Sequence, residues 1–110
     1  MPMLKNVVKK EDAINKEFKG VNLDSMAVGE KSIVTKMNYV EGNYASTHKH
    51  PNEQVGYVIS GKYLLTIADN EYKLQPGDSY AIPENTEHSF KVVEGGEVID
   101  VFTPIREDYL

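Results

Sequence analysis

The 110-residue chain contains no cysteine and no tryptophan, and only three histidines. Without cysteine there is no disulfide, no thiolate metal site and no cysteine nucleophile. No apolar run approaches the roughly 20 residues that a membrane-spanning helix requires. The first ten residues, MPMLKNVVKK, lack the apolar core of a secretory signal. Basic clustering is also missing: the net charge is −5 with acids and bases interspersed, so no nucleic-acid footprint is visible. These absences predict a cytoplasmic protein without membrane or nucleic-acid partners. The length suits one domain that buries its own core.

From about Ser32 onward the chain reads as short strands separated by turn signals. Ile33, Thr35, Met37 and Tyr39 alternate with Val34, Lys36 and Asn38. Gln54–Ser60, Tyr63–Ala68, Tyr72–Leu74, Tyr80–Ile82, Phe90–Val93 and Val98–Phe102 follow, punctuated by Asp69-Asn70, Gln75-Pro76-Gly77-Asp78, Pro83 and Gly95-Gly96. Gly95-Gly96 between two apolar runs is expected to close a hairpin. The pattern predicts an all-β sandwich or barrel over 31–110. Residues 1–30 are set apart as an N-terminal arm, packing on the barrel or on a second subunit. Within it a short helix is expected over Glu11–Phe18, with Ile14 and Phe18 on one side. Tyr39, Tyr57, Tyr63 and Tyr80 are expected in the core or at a subunit contact, one of them lining a cavity.

All three histidines fall where one metal ion would need them. His48 and His50 are two apart, so an extended strand would turn both imidazoles to one face. His88 follows the turn-rich run Pro83-Glu84-Asn85-Thr86-Glu87, which a folded sheet could bring beside them. Neutral imidazole ligates zinc, nickel, iron and copper alike.

The punctuation around them forms two blocks. Gly42, His48, His50, Gln54 and Gly61 give G-x5-H-x-H-x3-Q-x6-G, and Gly77, Pro83 and His88 give G-x5-P-x4-H. These blocks resemble the paired motifs of the cupin superfamily, whose fold is a jelly-roll barrel, the double-stranded β-helix. The resemblance implies one divalent transition metal (Zn, Ni, Fe, Mn or Cu) held by His48, His50, Gln54 and His88. The chain departs from the family pattern at Gln54, where glutamate is usual, at Asn85, where glycine is usual, and at Val92, where asparagine is usual. A neutral amide leaves the ion's charge uncompensated, which favours anionic ligands. Glu53 is the alternative ligand, but adjacent strand residues face opposite sides, which favours Gln54.

A narrower resemblance lies in the tail. H-x-H-P-x-x-Q together with D-x-F-T-P-x-R, over Asp100, Phe102 and Arg106, looks like the pectin-degradation cupins of the KdgF type. That resemblance implies ring opening of an unsaturated uronate from pectin or alginate. Asp100 would then be the acid/base group, Phe102 a pocket wall and Arg106 the clamp on the substrate carboxylate. The competing readings are a metal-dependent dioxygenase and a non-catalytic small-molecule binder. Small cupins of this shape also suggest a homodimer.

Overall fold

A computed structural model describes residues 4–110. Ten strands form two sheets: β1 (Ile14–Phe18), β2 (Val21–Val28), β3 (Ile33–Tyr39), β4 (Tyr44–His48), β5 (Glu53–Val58), β6 (Lys62–Ile67), β7 (Asn70–Leu74), β8 (Ser79–Ile82), β9 (His88–Glu94) and β10 (Gly96–Thr103). The larger sheet runs β1-β2-β3-β10-β5-β8 and the smaller β4-β9-β6-β7. All pairs between neighbouring strands are antiparallel. The two sheets pack around Leu23, Ile33, Val58, Tyr63, Leu65, Ile82, Val98 and Phe102, all essentially inaccessible. The all-β jelly roll expected from the motifs is the fold observed.

Period-2 patterning explains the sandwich. On β10, Val98, Asp100 and Phe102 are buried while their neighbours are not, and on β3 the same holds for Ile33, Thr35 and Met37. Strand pairing lines these positions into rows across the larger sheet. One row is Ile33, Phe102, Gln54 and Ile82; the next is Thr35, Asp100, Gly56 and Tyr80. These rows carry inward-facing polar groups to the middle of the sandwich.

Two local expectations are corrected. Glu11–Phe18 is not a helix: a single 3-10 turn at Lys10–Asp12 leads into β1. Ile14, Lys16 and Phe18 share a face as well on a strand as Ile14 and Phe18 do on a helix, and pairing with β2 decides between them. β1 and β2, within the segment set apart as an arm, are thus strands of the larger sheet, and β2 pairs directly with β3. Gly95-Gly96 does not close a hairpin, because β9 pairs with β4 and β6 whereas β10 pairs with β3 and β5. The two glycines carry the chain from one sheet to the other. A Cβ on Gly96 would lie 2.3 Å from the Ser60 carbonyl carbon, so the crossover needs glycine there. Asn85 adopts φ 55°, a left-handed conformation that asparagine tolerates better than other non-glycine residues. Among the described residues no helix is long and apolar enough to cross a membrane.

Candidate metal centre

β4 and β9 pair in the smaller sheet with His48 and His88 as Cα partners. β4 ends at His48, so His50 sits in the following loop and not on the same strand face as first expected. That loop folds back: the His50 carbonyl accepts a hydrogen bond from the Asn85 N–H at 2.8 Å, which ties it to the segment leading into His88. The ring centroids are 4.3 Å apart for His48 and His88, 4.8 Å for His50 and His88, and 5.7 Å for His48 and His50. One ring nitrogen from each comes within 4.8 Å of the others.

Each imidazole is oriented by the backbone. His48 Nδ1 contacts the Ser46 carbonyl at 2.7 Å, His50 Nδ1 the Asn52 carbonyl at 2.9 Å, and His88 Nδ1 the Thr86 carbonyl at 2.8 Å. A carbonyl only accepts, so each Nδ1 carries the proton and each Nε2 presents a lone pair. Burial pushes His88 down to about 4 and lowers His50, on which the positive charge of Arg106 acts in the same direction. Neutral rings with outward lone pairs are the form that binds a cation.

Gln54 completes the cluster. It points inward from β5 while Glu53 is exposed, the alternation that favours the amide over the carboxylate. Its Oε1 lies 3.2 Å from His50 Nε2. With Nδ1 of His50 protonated, both atoms are acceptors, and two facing lone pairs are unfavourable unless a cation lies between them. Three imidazole nitrogens and one amide oxygen are a donor set for a divalent transition ion. The residues present therefore fit a metal.

The cluster opens into a cavity of about 320 Å³ lined by His48, His88, Gln54, Asp100, Phe102 and Arg106 among others. Asp100 is fully buried and its pKa is pushed up to about 6. Burial is the cause, opposed by hydrogen bonding from Tyr80, by the nearby Gln54 amide and by the Arg106 charge. Phe102 packs edge-on to His50 at 5.9 Å. The Arg106 guanidinium lies 4.4 Å from the Tyr109 ring centroid, 5.3 Å from Phe18 and 5.4 Å from Phe102, with Asp108 Oδ2 3.6 Å from its Nε. The aromatic rings restrict where that cation points.

Several residues that shape the site carried no motif in the sequence. Asn52 is buried, and its side-chain amide donates to the Pro104 carbonyl at 2.7 Å, fastening the His50 loop to the tail that bears Arg106. Phe18 and Tyr109 flank Arg106 from opposite ends of the chain. Tyr39 lines the cavity, whereas Tyr57 is exposed. Gly56 within the run Gln54-Val55-Gly56-Tyr57-Val58 was the one available signal, since an isolated strand glycine marks a close approach.

A family model described as "Cupin domain" matches residues 35–102. The pectin degradation protein KdgF of Dickeya dadantii is 33% identical over 76 residues, covering 67% of this chain and 69% of that protein. The HTH-type transcriptional regulator PuuR of Escherichia coli is 31% identical over 104 residues, covering 89% of this chain, which spans 56% of the regulator's length. An RmlC-like cupin from Shewanella frigidimarina superposes with a TM-score of 0.88 at 24% identity, covering 96% of each chain.

Proposed function

Starting from a chain that belongs to the cupin family, we propose that it is a metal-dependent enzyme that opens the ring of a small unsaturated uronate released from pectin or alginate. The observation that carries this reading is one cavity joining the three-histidine cluster to Asp100 and Arg106. His48, His50, His88 and Gln54 would hold the ion. A divalent ion bound there supplies Lewis-acid polarisation of a substrate oxygen and a counter-charge for a carboxylate. Arg106, restrained by Tyr109, Phe18 and Phe102, pairs with the substrate carboxylate through its planar fork of N–H donors. Phe102 fills the wall between His50 and Arg106 and keeps water off the sugar ring. Asp100 moves the proton that ring opening requires, burial favouring the protonated form of its carboxyl. The likeness to KdgF, a protein named for pectin degradation, supports the substrate class.

The test is the loss of uronate ultraviolet absorbance on incubation with purified protein, before and after removal of metal with a chelator. Metal-dependent turnover is the expected result, and no turnover on any unsaturated uronate removes the assignment.

A second reading, a non-catalytic binding cupin, is favoured by the match to PuuR along 89% of this chain. Calorimetric binding of a small carboxylate without turnover distinguishes it. Either reading takes the protein as a homodimer, supported by the exposed apolar stripe Val55, Tyr57 and Ile59 at alternate positions along β5 and its extension; light scattering of the purified protein checks it.

A further inference from the structure

Tyr80 has no part in the reading above, yet its hydroxyl donates to Asp100 Oδ1 at 2.5 Å, and the contact is buried. The two residues lie in one inward row but are not on neighbouring strands: β5 runs between β8 and β10, and Gly56 is the residue of β5 that pairs with Tyr80 on one side and Asp100 on the other. The tyrosine ring crosses directly over that glycine. A Cβ on Gly56 would lie 2.2 Å from Tyr80 Cζ, 2.4 Å from its hydroxyl oxygen and 2.5 Å from Asp100 Oδ1. Gly56 is not among the glycines with positive φ. Space, not backbone conformation, is what glycine provides there.

The consequence falls on the carboxyl group. Its Oδ1 is occupied, while Oδ2 is buried without a hydrogen-bond partner. Asp100 lines the cavity. Thr35, the other neighbour in the row, reaches only the Asp100 backbone carbonyl, at 3.4 Å, so it does not orient the side chain. A fully buried, unpartnered carboxyl oxygen beside a cavity is a group awaiting a ligand.

We infer that Tyr80 is a positioning residue: through the gap left by Gly56 it pins Oδ1 of Asp100 and leaves Oδ2 as the oxygen that meets the substrate. This rests on the reading of Asp100 as the acid/base group. Carboxyl torsions are broad and roughly two-fold, so an unpinned Asp100 spreads its oxygens over several directions. Burial holds the Tyr80 hydroxyl well above its usual range, and it remains a neutral donor throughout.

Tyr80→Phe, which removes one oxygen atom, tests the inference, with Tyr72→Phe on the exposed surface as control. Turnover of the metal-loaded protein on an unsaturated uronate is measured alongside the Asp100 carboxyl carbon resonance of metal-free, carbon-13-labelled protein, assigned with Asp100→Asn. Tyr80→Phe is expected to lower kcat by about 10- to 100-fold and leave KM and metal content within about twofold. The carboxyl resonance moves in Tyr80→Phe and stays in place in Tyr72→Phe. A kcat within about twofold of the parent's, or an unmoved resonance, overturns the inference. A parent protein inactive on every uronate instead sinks the uronate reading, and the carboxyl resonance then decides alone whether Asp100 is pinned.

Discussion

His48 and His88, forty residues apart in sequence, stand directly opposite each other on β4 and β9, with ring centroids separated by 4.3 Å. The smaller sheet thus builds two-thirds of the three-histidine cluster from one strand pair, and the loop after β4 adds His50. A site shared between paired strands does not exist in the unfolded chain, so metal binding and folding are coupled. One ion per chain is expected by elemental analysis, falling well below that in His48→Ala and in His88→Ala. Metal at about 100 times its dissociation constant adds about 2.7 kcal/mol of stability, a rise in Tm of roughly 10 °C for a domain of this size. A chelator that leaves Tm unchanged contradicts the site.

Strand content was legible because burial on one face imposes alternation, as in Ile33–Tyr39 and Val98–Phe102. The histidines were legible because all three fall inside two spaced motifs. The misread elements are those that long-range pairing decides. Ile14 and Phe18 satisfy a helical and an extended spacing equally well, and only β2 selects between them. Gly95-Gly96 looks the same whether the next strand returns to its own sheet or crosses to the other. The Tyr80–Asp100 contact depends on strand order, which places β5 between the two residues and makes Gly56 the gap. Local residue types carry no record of that order.

Arg106 should not tolerate lysine. Its guanidinium is sandwiched near Tyr109, Phe18 and Phe102, contacts that use a planar, delocalised cation. Arg106→Lys keeps the charge but loses the paired N–H donors. A fall of about 10- to 100-fold in kcat/KM on a carboxylate substrate is expected, with metal content unchanged. Steady-state kinetics of the variant check it, and parent-like efficiency argues that Arg106 does not touch substrate.

Asn52 joins the two halves of the site, with its backbone carbonyl on His50 Nδ1 and its side chain on the Pro104 carbonyl. Asn52→Ala removes that hydrogen bond, a loss of about 0.5–1.5 kcal/mol. Urea denaturation measures the loss. The tail bearing Arg106 is also released, so KM for the carboxylate rises in the same variant. A change confined to stability means the tail is held by other contacts.

Gly96→Ala should be among the most disruptive single-methyl changes in the chain. The added carbon would meet Ser60 and Gly61 backbone atoms at 2.3 to 2.6 Å, with no flexible side chain to move aside. Overpacking of this kind costs about 1–3 kcal/mol or more. Gly20→Ala is the comparison: a Cβ there meets nothing within 4 Å, although φ is +82°, so its cost is backbone strain alone, about 1 kcal/mol. Equal midpoints for the two variants in urea contradict the tight crossover between sheets.

Two buried groups oppose each other in the pH dependence of the metal-free protein. Asp100 rises from 3.8 to about 6 on folding, so between those values the folded state holds a proton that the unfolded state has released. Stability therefore falls as pH rises through that window, by roughly 3 kcal/mol in all. His88 drops from 6.5 to about 4, so over nearly the same window the unfolded state holds the extra proton. Its contribution rises with pH by a similar amount, roughly 3 kcal/mol, and the lowered His50 adds in the same direction. The parent, stripped of metal, is thus expected to show a shallow upward slope from about pH 4 to 6.5, because the two large effects nearly cancel. Asp100→Asn removes the falling component and exposes a steep rise with pH, whereas His88→Gln leaves a falling profile, opposed only by the lowered His50. Urea midpoints at intervals across this range separate the three proteins. If Asp100→Asn follows the parent's slope, Asp100 does not hold its proton in the folded state, and the acid/base role assigned to it loses its physical basis.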